Sequence, residues 1–426
     1  MRDDDVPPPP GDLPPPPPDE PTDTGDTGDP DHSPWTGRRA AVLTIGLVVG
    51  ISPFATDAYI AGFPAMAAEL GTSPAAVQLT LTAFLVSFAL GQIVIGPVSD
   101  GSGRRRVLLL GTLAFTVGSV ACALAPDVTT LVVARVVQGL GGAAGSVAAR
   151  AMVGDTTTGV ARSRLFSTLA ALNSLGPVVA PLVGGLLLTA SSWRAVFVLL
   201  AVLGATLTVA AWRLLPETLP APPPGGARLG AALGRMSDLL AIPRFRAYLV
   251  TGCAATIGFF SYIATSSFVF QEQFGFSEQL YSVVFASNAS CMIASTLLFR
   301  RLVGRVPEDR LFTIGLVTCT LASAVVLTGA LTGAGAAVVW PALALVTAGC
   351  GWVIPGSITL TQALGHRTPG TAAALAGGLQ FGLGGLATPL AGALGGTAVA
   401  MGSLMLGFLA AGLAVQLWAS GRARRG

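Results

Sequence analysis

Twelve apolar stretches of roughly 19–25 residues follow one another along almost the whole chain, each long enough to cross ~30 Å of hydrocarbon as a helix. They fall near residues 40–62, 77–99, 107–125, 130–153, 165–190, 195–214, 246–270, 280–302, 311–331, 336–361, 372–394 and 397–419. In lipid, every backbone N–H and C=O must be satisfied inside its own segment, so these stretches are expected as helices. A barrel shows short alternating segments instead. Only 11% of the 426 residues are charged against 52% hydrophobic, where soluble domains carry about 25% charged residues. The fold class expected is an all-α membrane protein with twelve transmembrane helices.

Arginine placement orients the helices. Arg38 and Arg39 precede the first stretch, Arg104, Arg105 and Arg106 follow the second, and Arg162 and Arg164 follow the fourth. Arg213, Arg228, Arg235, Arg244 and Arg246 flank the sixth connection, Arg300, Arg301, Arg305 and Arg310 the eighth, Arg367 the tenth, and Arg422, Arg424 and Arg425 close the chain. The alternate connections hold almost none, Arg194 excepted. Positive charge stays inside, so both termini are expected in the cytoplasm, which requires an even number of spans. The domain organisation expected is a disordered Pro/Asp-rich cytoplasmic tail over 1–36, a six-helix bundle over 37–214, a proline-bearing cytoplasmic loop over 215–245, a second six-helix bundle over 246–420 and a short cytoplasmic tail over 421–426. The tail lacks the basic start and short apolar run of a signal peptide. Cys122, Cys253, Cys291, Cys319 and Cys350 all fall in apolar stretches without metal-like spacing, so no disulfide framework, metal or cofactor is expected.

The connection after the second stretch reads Gly96-Pro97-Val98-Ser99-Asp100-Gly101-Ser102-Gly103-Arg104-Arg105-Arg106. It resembles the signature cytoplasmic loop of the major facilitator superfamily, G-x-x-x-D-R-x-G-R-R, with Gly101 where a basic residue is usual. The resemblance implies the major facilitator fold, two six-helix bundles, and a cytoplasmic gate at Gly96, Asp100, Gly103, Arg104 and Arg105. Arg135-Val136-Val137-Gln138-Gly139 in the fourth stretch is similar to the family's R-x-x-Q-G, and Arg150 with Asp155 fits its R-A-x-x-x-D. Asn173-Ser174-Leu175-Gly176-Pro177, then Ala180-Pro181 and Gly184-Gly185, resembles the antiporter motif. Its glycines permit close helix approach and its prolines bend the helix. Thr56-Asp57-Ala58-Tyr59 with Pro64 is similar to the T-D-x-Y-x-x-x-x-P signature of the bicyclomycin/chloramphenicol-resistance branch. Phe259-Phe260-Ser261-Tyr262, Phe268-Val269-Phe270-Gln271, Gly370 to Leu375 and Leu379-Gln380-Phe381 agree with that branch.

Asp57 and Arg135 are the only acidic and basic residues well inside a span. Each costs roughly 3 kcal/mol or more at the bilayer centre, so each should face a cavity or a partner. Asp57 stands about six residues from the outer end of its span and Arg135 about five; at ~1.5 Å per residue their depths nearly match. The two side chains are therefore expected to lie close together, with Asp57 carrying a proton and Arg135 tuning it. Desolvation favours a protonated carboxyl and a nearby guanidinium favours the ionised one. A structural ion pair is the alternative. Phe54, Tyr59, Phe84, Gln138, Asn173, Tyr262, Asn288, Trp352 and Gln380 are the candidates for a substrate cavity, since aromatics with a few amides suit amphipathic small molecules.

The function implied by the resemblance is proton-coupled efflux of an amphipathic drug or antibiotic by alternating access, in a bacterial cell membrane. The partners expected are the lipid bilayer, the drug and protons, with no nucleic acid and a monomeric chain. An exporter or proton symporter of one native metabolite stays open, as does a non-transporting sensor. No catalytic site is expected, because no His, Asp, Glu or Cys cluster stands at the interface and the glycines of the fourth stretch follow no strand.

Overall fold

The computed structural model describes residues 39–157, 159–219, 229–365 and 369–423, without the side chains of a few residues inside helices, Pro97 and Asp100 among them. The tail expected over 1–36, Pro220 and Pro222 to Pro224 of the connection, Arg228, His366, Arg367, Arg424 and Arg425 lie outside the described residues. The described chain is helical almost throughout. In order come α1 (Arg39–Asp57), α2 (Phe63–Glu69), α3 (Pro74–Ser102), α4 (Arg104–Ala123), α5 (Val128–Thr156), α6 (Gly159–Ala190) and α7 (Trp193–Leu214). Then follow α8 (Leu229–Ala241), α9 (Pro243–Phe268), α10 (Glu278–Leu302), α11 (Glu308–Leu331), α12 (Ala336–Leu364), α13 (Pro369–Ala393) and α14 (Ala398–Ala423).

Among the described residues, ten helical segments are long and apolar enough to cross a membrane. α6 and α13, 32 and 25 residues long, fill the fifth and eleventh places and complete twelve spans. Large apolar side chains cover the outside as well as the core: Leu124, Leu186 and Leu321 are 75%, 67% and 64% exposed. That surface suits lipid and not water. Polar caps set the helix ends between spans. Ser73 Oγ accepts from Ala76 N ahead of α3, and Ser277 Oγ from Leu280 N ahead of α10. The Asp127 carboxylate accepts from both the backbone N–H and the hydroxyl of Thr130 at the start of α5, which holds its carboxyl below the usual carboxylate range.

Helix pairings in the first six spans recur in the last six. α4 packs on α5 and α7, α3 on α5, and α1 on α5, α6 and α7. In the same way α11 packs on α12 and α14, α10 on α12, and α9 on α12, α13 and α14. Between the halves α3 packs on α13 and α6 on α10, a pair of contacts that the same exchange interconverts. Two bundles related by an axis along the membrane normal have this pattern. The sequence carries it too: Pro181-Leu182-Val183-Gly184 in α6 stands where Pro389-Leu390-Ala391-Gly392 stands in α13.

Two features depart from the sequence reading. The connection expected as a loop over 215–245 contains α8, whose Leu239 packs with Phe245, Leu249 and Leu375 and so docks the helix on the second bundle. Met236, Leu239 and Leu240 recur at helical spacing, so one face of α8 is apolar. The first span is also broken. α1 stops at Asp57, a 3₁₀ turn covers Ile60–Gly62, and α2 carries the chain on to Glu69. Its counterpart, α9, loosens at the same end into a π turn over Val269–Gln273.

Candidate functional site

Ending α1 at Asp57 leaves backbone carbonyls without helical partners. Arg135 on α5, fully buried, takes one of them: its Nη1 donates to Ala55 O at 3.1 Å and to Gln138 Oε1 at 2.6 Å. Nε donates to Thr80 O on α3 at 3.2 Å, and Nη2 to the Tyr59 hydroxyl at 3.2 Å. The guanidinium lies 4.5 Å from the Tyr59 ring centre and 4.4 Å from that of Phe84, a cation–π arrangement that strengthens when desolvated. Gln138 Nε2 passes the network to Ser119 Oγ on α4 at 2.8 Å. One cation thus fastens α1, α3, α4 and α5 around the break in the first span.

Asp57 does not pair with it. The ion pairs seen among the described residues are Arg104–Asp155 and Arg194–Glu69. The hydrogen bond found on the Asp57 carboxylate comes from its neighbour, Thr56 Oγ1, at 3.1 Å. The alternative of an Asp57–Arg135 ion pair is not seen among the described residues, and the reason is angular. At ~100° per residue, Ala55 and Tyr59 share one face of the first span while Asp57 points about 200° away. Arg135 holds the flanking residues, and the 3₁₀ turn that follows Asp57 packs on α6, α9 and α10. Asp57 is 7% exposed, so the site holds a buried carboxyl at a helix break, with no cation paired to it among the described residues. Such a group can take up or release a proton as its hydration changes.

The remaining candidates separate into three places. Tyr59, Phe84 and Gln138 sit inside the Arg135 cluster and face no opening. In the second bundle, Asn288 Nδ2 donates to the Tyr262 hydroxyl at 3.0 Å, Tyr262 stacks on Phe285 at 5.9 Å, and the side-chain oxygen Oδ1 of Asn288 is buried without a hydrogen-bond partner. Gln380 joins α13 to Ser357 of α12, and Trp352 Nε1 donates to Ser295 O, so both serve packing within that bundle. Phe54 and Asn173 are half-buried on α1 and α6.

The glycines of the antiporter motif are close-approach points. A Cβ on Gly176 meets Pro53 Cβ at 2.9 Å, and one on Gly184 overlaps the carbonyl oxygen of Ala58, beside Asp57. A Cβ on Gly185 runs into Ser282 Oγ of α10 in the other bundle. Pro177 and Pro181 lie inside α6 between these contacts.

At the opposite end, Gly103 turns with φ +91° and starts α4. Arg104 Nε binds Asp155 at 2.9 Å and its Nη1 binds Ser99 Oγ at 3.0 Å. Arg105 reaches Leu215 O at 2.8 Å and Trp212 O at 2.6 Å. Glu217, which sequence reasoning missed, accepts from the backbone N–H groups of Arg104 and Arg105 at 2.9 and 3.1 Å. The signal available was an acid just beyond the sixth span, opposite three arginines at a helix start. Gly96 is half-buried, and the side chain of Asp100 lies outside the described residues.

Residues 45–389 match the family model described as Major Facilitator Superfamily. The chain is 36% identical over 379 residues, 88% of it and 94% of the relative, to an uncharacterised MFS-type transporter, YdgK, of Bacillus subtilis (strain 168). It is 28% identical over 349 residues, 80% of it and 86% of the relative, to a bicyclomycin resistance protein homolog of Haemophilus influenzae. The fold is similar to that of a bacterial homolog of the human lysosomal transporter Spinster in an inward-facing, occupied conformation, with TM-score 0.74 and 17% identity over 91% of this chain and 97% of that one.

Proposed function

This chain belongs to the major facilitator superfamily, a family of membrane transporters, and from that premise we propose that it exports small amphipathic drugs or antibiotics in exchange for protons. The observation that carries the reading is Asp57: a buried carboxyl at the break of the first span, just before the turn that packs on both bundles, and not paired with the cation buried nearby. Protonated, it fits an apolar seam. Ionised, it needs water or a cationic or hydrogen-bonding substrate. The proton and the substrate thus compete for one site, which is the basis of exchange. Arg135 is the positioning residue: it holds the chain on either side of Asp57 and so aims the carboxyl away from itself.

The substrate class rests on the relative named for bicyclomycin resistance. Phe54, Asn173, Tyr262 and Asn288 form its contact surface, the unpartnered Asn288 oxygen accepting a donor from the drug. The arginine-rich Arg104 end faces the cytoplasm of a bacterial inner membrane, with both termini there and the chain working as a monomer. The two lobes are residues 37–214 and 246–420, and the Gly96–Arg105 turn gates the cytoplasmic side. Moving one net charge through 100 mV yields ~2.3 kcal/mol and one pH unit adds ~1.4 kcal/mol, enough for a drug gradient of about several hundred-fold.

The test is transport in inside-out vesicles carrying a pH-sensitive dye. Adding chloramphenicol or bicyclomycin to energised vesicles is expected to release protons through the native chain and not through the Asp57→Asn variant. Drug-linked proton release that survives Asp57→Asn overturns the assignment.

A further inference from the structure

The seam between α3 and α13 has a polar lock at one end. Gln78 on α3 is fully buried, four residues into its helix. An amide so placed in a membrane protein must be satisfied by protein. Its partners both lie in the other bundle: Nε2 donates to Ala264 O on α9 at 3.1 Å, and Oε1 accepts from Gly392 N on α13 at 3.0 Å. Gly392 is required for the fit, since a Cβ there comes within 2.6 Å of that same Gln78 oxygen and 2.7 Å of Ala75 Cα. One turn further along α3, the Thr82 hydroxyl lies 2.7 Å from Gly385 O and 2.7 Å from the Thr388 hydroxyl. The Gly385 carbonyl is available because Pro389, four residues on, has no N–H to offer it.

The rest of the seam is built differently. Toward the Arg104 end, Ala89 faces Gly382 and Ile93 faces Gly378, apolar contacts that separate without leaving polar atoms unpaired. The hydrogen bonds seen crossing between the bundles among the described residues lie at the Glu69 end: those of Gln78 and Thr82, and those from Ser267 Oγ and Gln271 Nε2 to Ala61 O in the 3₁₀ turn, at 3.5 and 2.8 Å. Apolar contacts in lipid carry no hydrophobic drive to close, whereas directed hydrogen bonds hold one geometry.

We propose that Gln78 is the pin of this lock: its carboxamide holds the Glu69 end shut and must release α9 and α13 together each time that end opens. Gln78 is a positioning residue of the transport cycle, setting the balance between the two access states. The proposal rests on alternating access from the preceding reading, but not on proton coupling or on drug export.

Spin labels at Thr72, before α3, and at Leu331, the exposed end of α11, report the width of the Glu69 end by pulsed electron resonance in lipid nanodiscs, with the native cysteines replaced. Gln78→Leu keeps the bulk and removes both bonds. It is expected to raise the ratio of open to closed populations about tenfold or more, from two hydrogen bonds of ordinary net strength. Thr82→Val, a nearly isosteric change, gives a smaller shift in the same direction and stands as the reading if Gln78→Leu does not fold. In Gln78→Glu, the protonated carboxyl restores both bonds at low pH. At high pH, the carboxylate faces the Ala264 carbonyl and the end opens, beyond any change in the native chain over the same range. Mere packing at residue 78 gives no such pH profile. Distance distributions of Gln78→Leu, or of Thr82→Val if that alone folds, that superpose on the native ones overturn the proposal. A widened Glu69 end in a chain that exports no drug supports the pin while sinking the reading of Asp57.

Discussion

The two bundles share one packing plan but divide the chemistry unequally. The first buries a carboxyl and a guanidinium, Asp57 and Arg135; the second buries Thr251, Ser266, Asn288, Gln380, Thr388 and Gln416, all of them neutral. Both ion pairs seen among the described residues, Arg104–Asp155 and Arg194–Glu69, also belong to the first. A duplicated scaffold gives matched moving parts, yet one copy is enough to carry the group that changes charge. The neutral copy can close over that group and open again without desolvating a charge of its own, a cost of several kcal/mol per ion.

The sharpest way to break this contrast is to neutralise the charged side. Asp57→Asn is expected to abolish drug-driven proton release, whereas Asn288→Leu in the second bundle costs about tenfold in apparent drug affinity, the value of one hydrogen bond to a good partner, with proton coupling intact. Vesicle assays on both variants decide the matter. Equal losses from the two changes mean the chemistry is shared between the bundles.

Stability should divide the same way. Arg135→Met strands Gln138 Oε1 and Ala55 O inside the first bundle and takes a donor from the Tyr59 hydroxyl and from Thr80 O. A loss of about 3 kcal/mol or more is expected, as for a buried network deprived of its cation. Gln380→Leu in the second bundle costs about 1 kcal/mol. Thermal unfolding in detergent compares them, and a Tm for Arg135→Met within error of the native chain removes the cluster as the organiser of the first span.

How far the sequence could be read follows from these same residues. The twelve spans, the bundle repeat and the close-packed glycines of α6 were legible, because lipid demands long apolar helices and small residues at their crossings. That Asp57 and Arg135 form no ion pair was missed because depth along a helix says nothing about azimuth until the neighbours at 55 and 59 are considered. The break after Asp57 depends on carbonyl partners supplied by α5, which lies far along the chain. α8 hides behind a run of prolines, and Gln78 reads as one amide among apolar residues until α9 and α13 are seen around it.

A milder contrast concerns the paired glycines of α6 and α13. Gly184→Ala forces a methyl onto Ala58 O within the first bundle and should cost about 1–3 kcal/mol of stability, as overpacking does. Gly392→Ala presses on α3 of the other bundle, so its effect should fall on the population of the open Glu69 end and less on Tm. Identical Tm losses from the two changes erase the distinction between packing inside a bundle and packing across the seam.

The smallest effect expected distinguishes the two helix starts that follow spans two and eight. α11 opens with its own acids, Glu308 and Asp309, which suit the positive end of a helix dipole. α4 opens with Arg104, Arg105 and Arg106, the unfavourable sign, and takes its negative charge from outside: Glu217 from the connection and Asp155 from α5. Glu217→Gln keeps an acceptor for the two N–H groups but removes the charge, so about 0.3–1 kcal/mol should be lost. Glu308→Gln should cost less, since Asp309 remains beside it. High salt should shrink the Glu217→Gln loss, because screening weakens an exposed helix-end charge. Thermal unfolding at low and high salt measures both. A Glu217→Gln chain of native stability whose export nonetheless falls more than about tenfold shows that this turn gates transport instead of merely capping a helix.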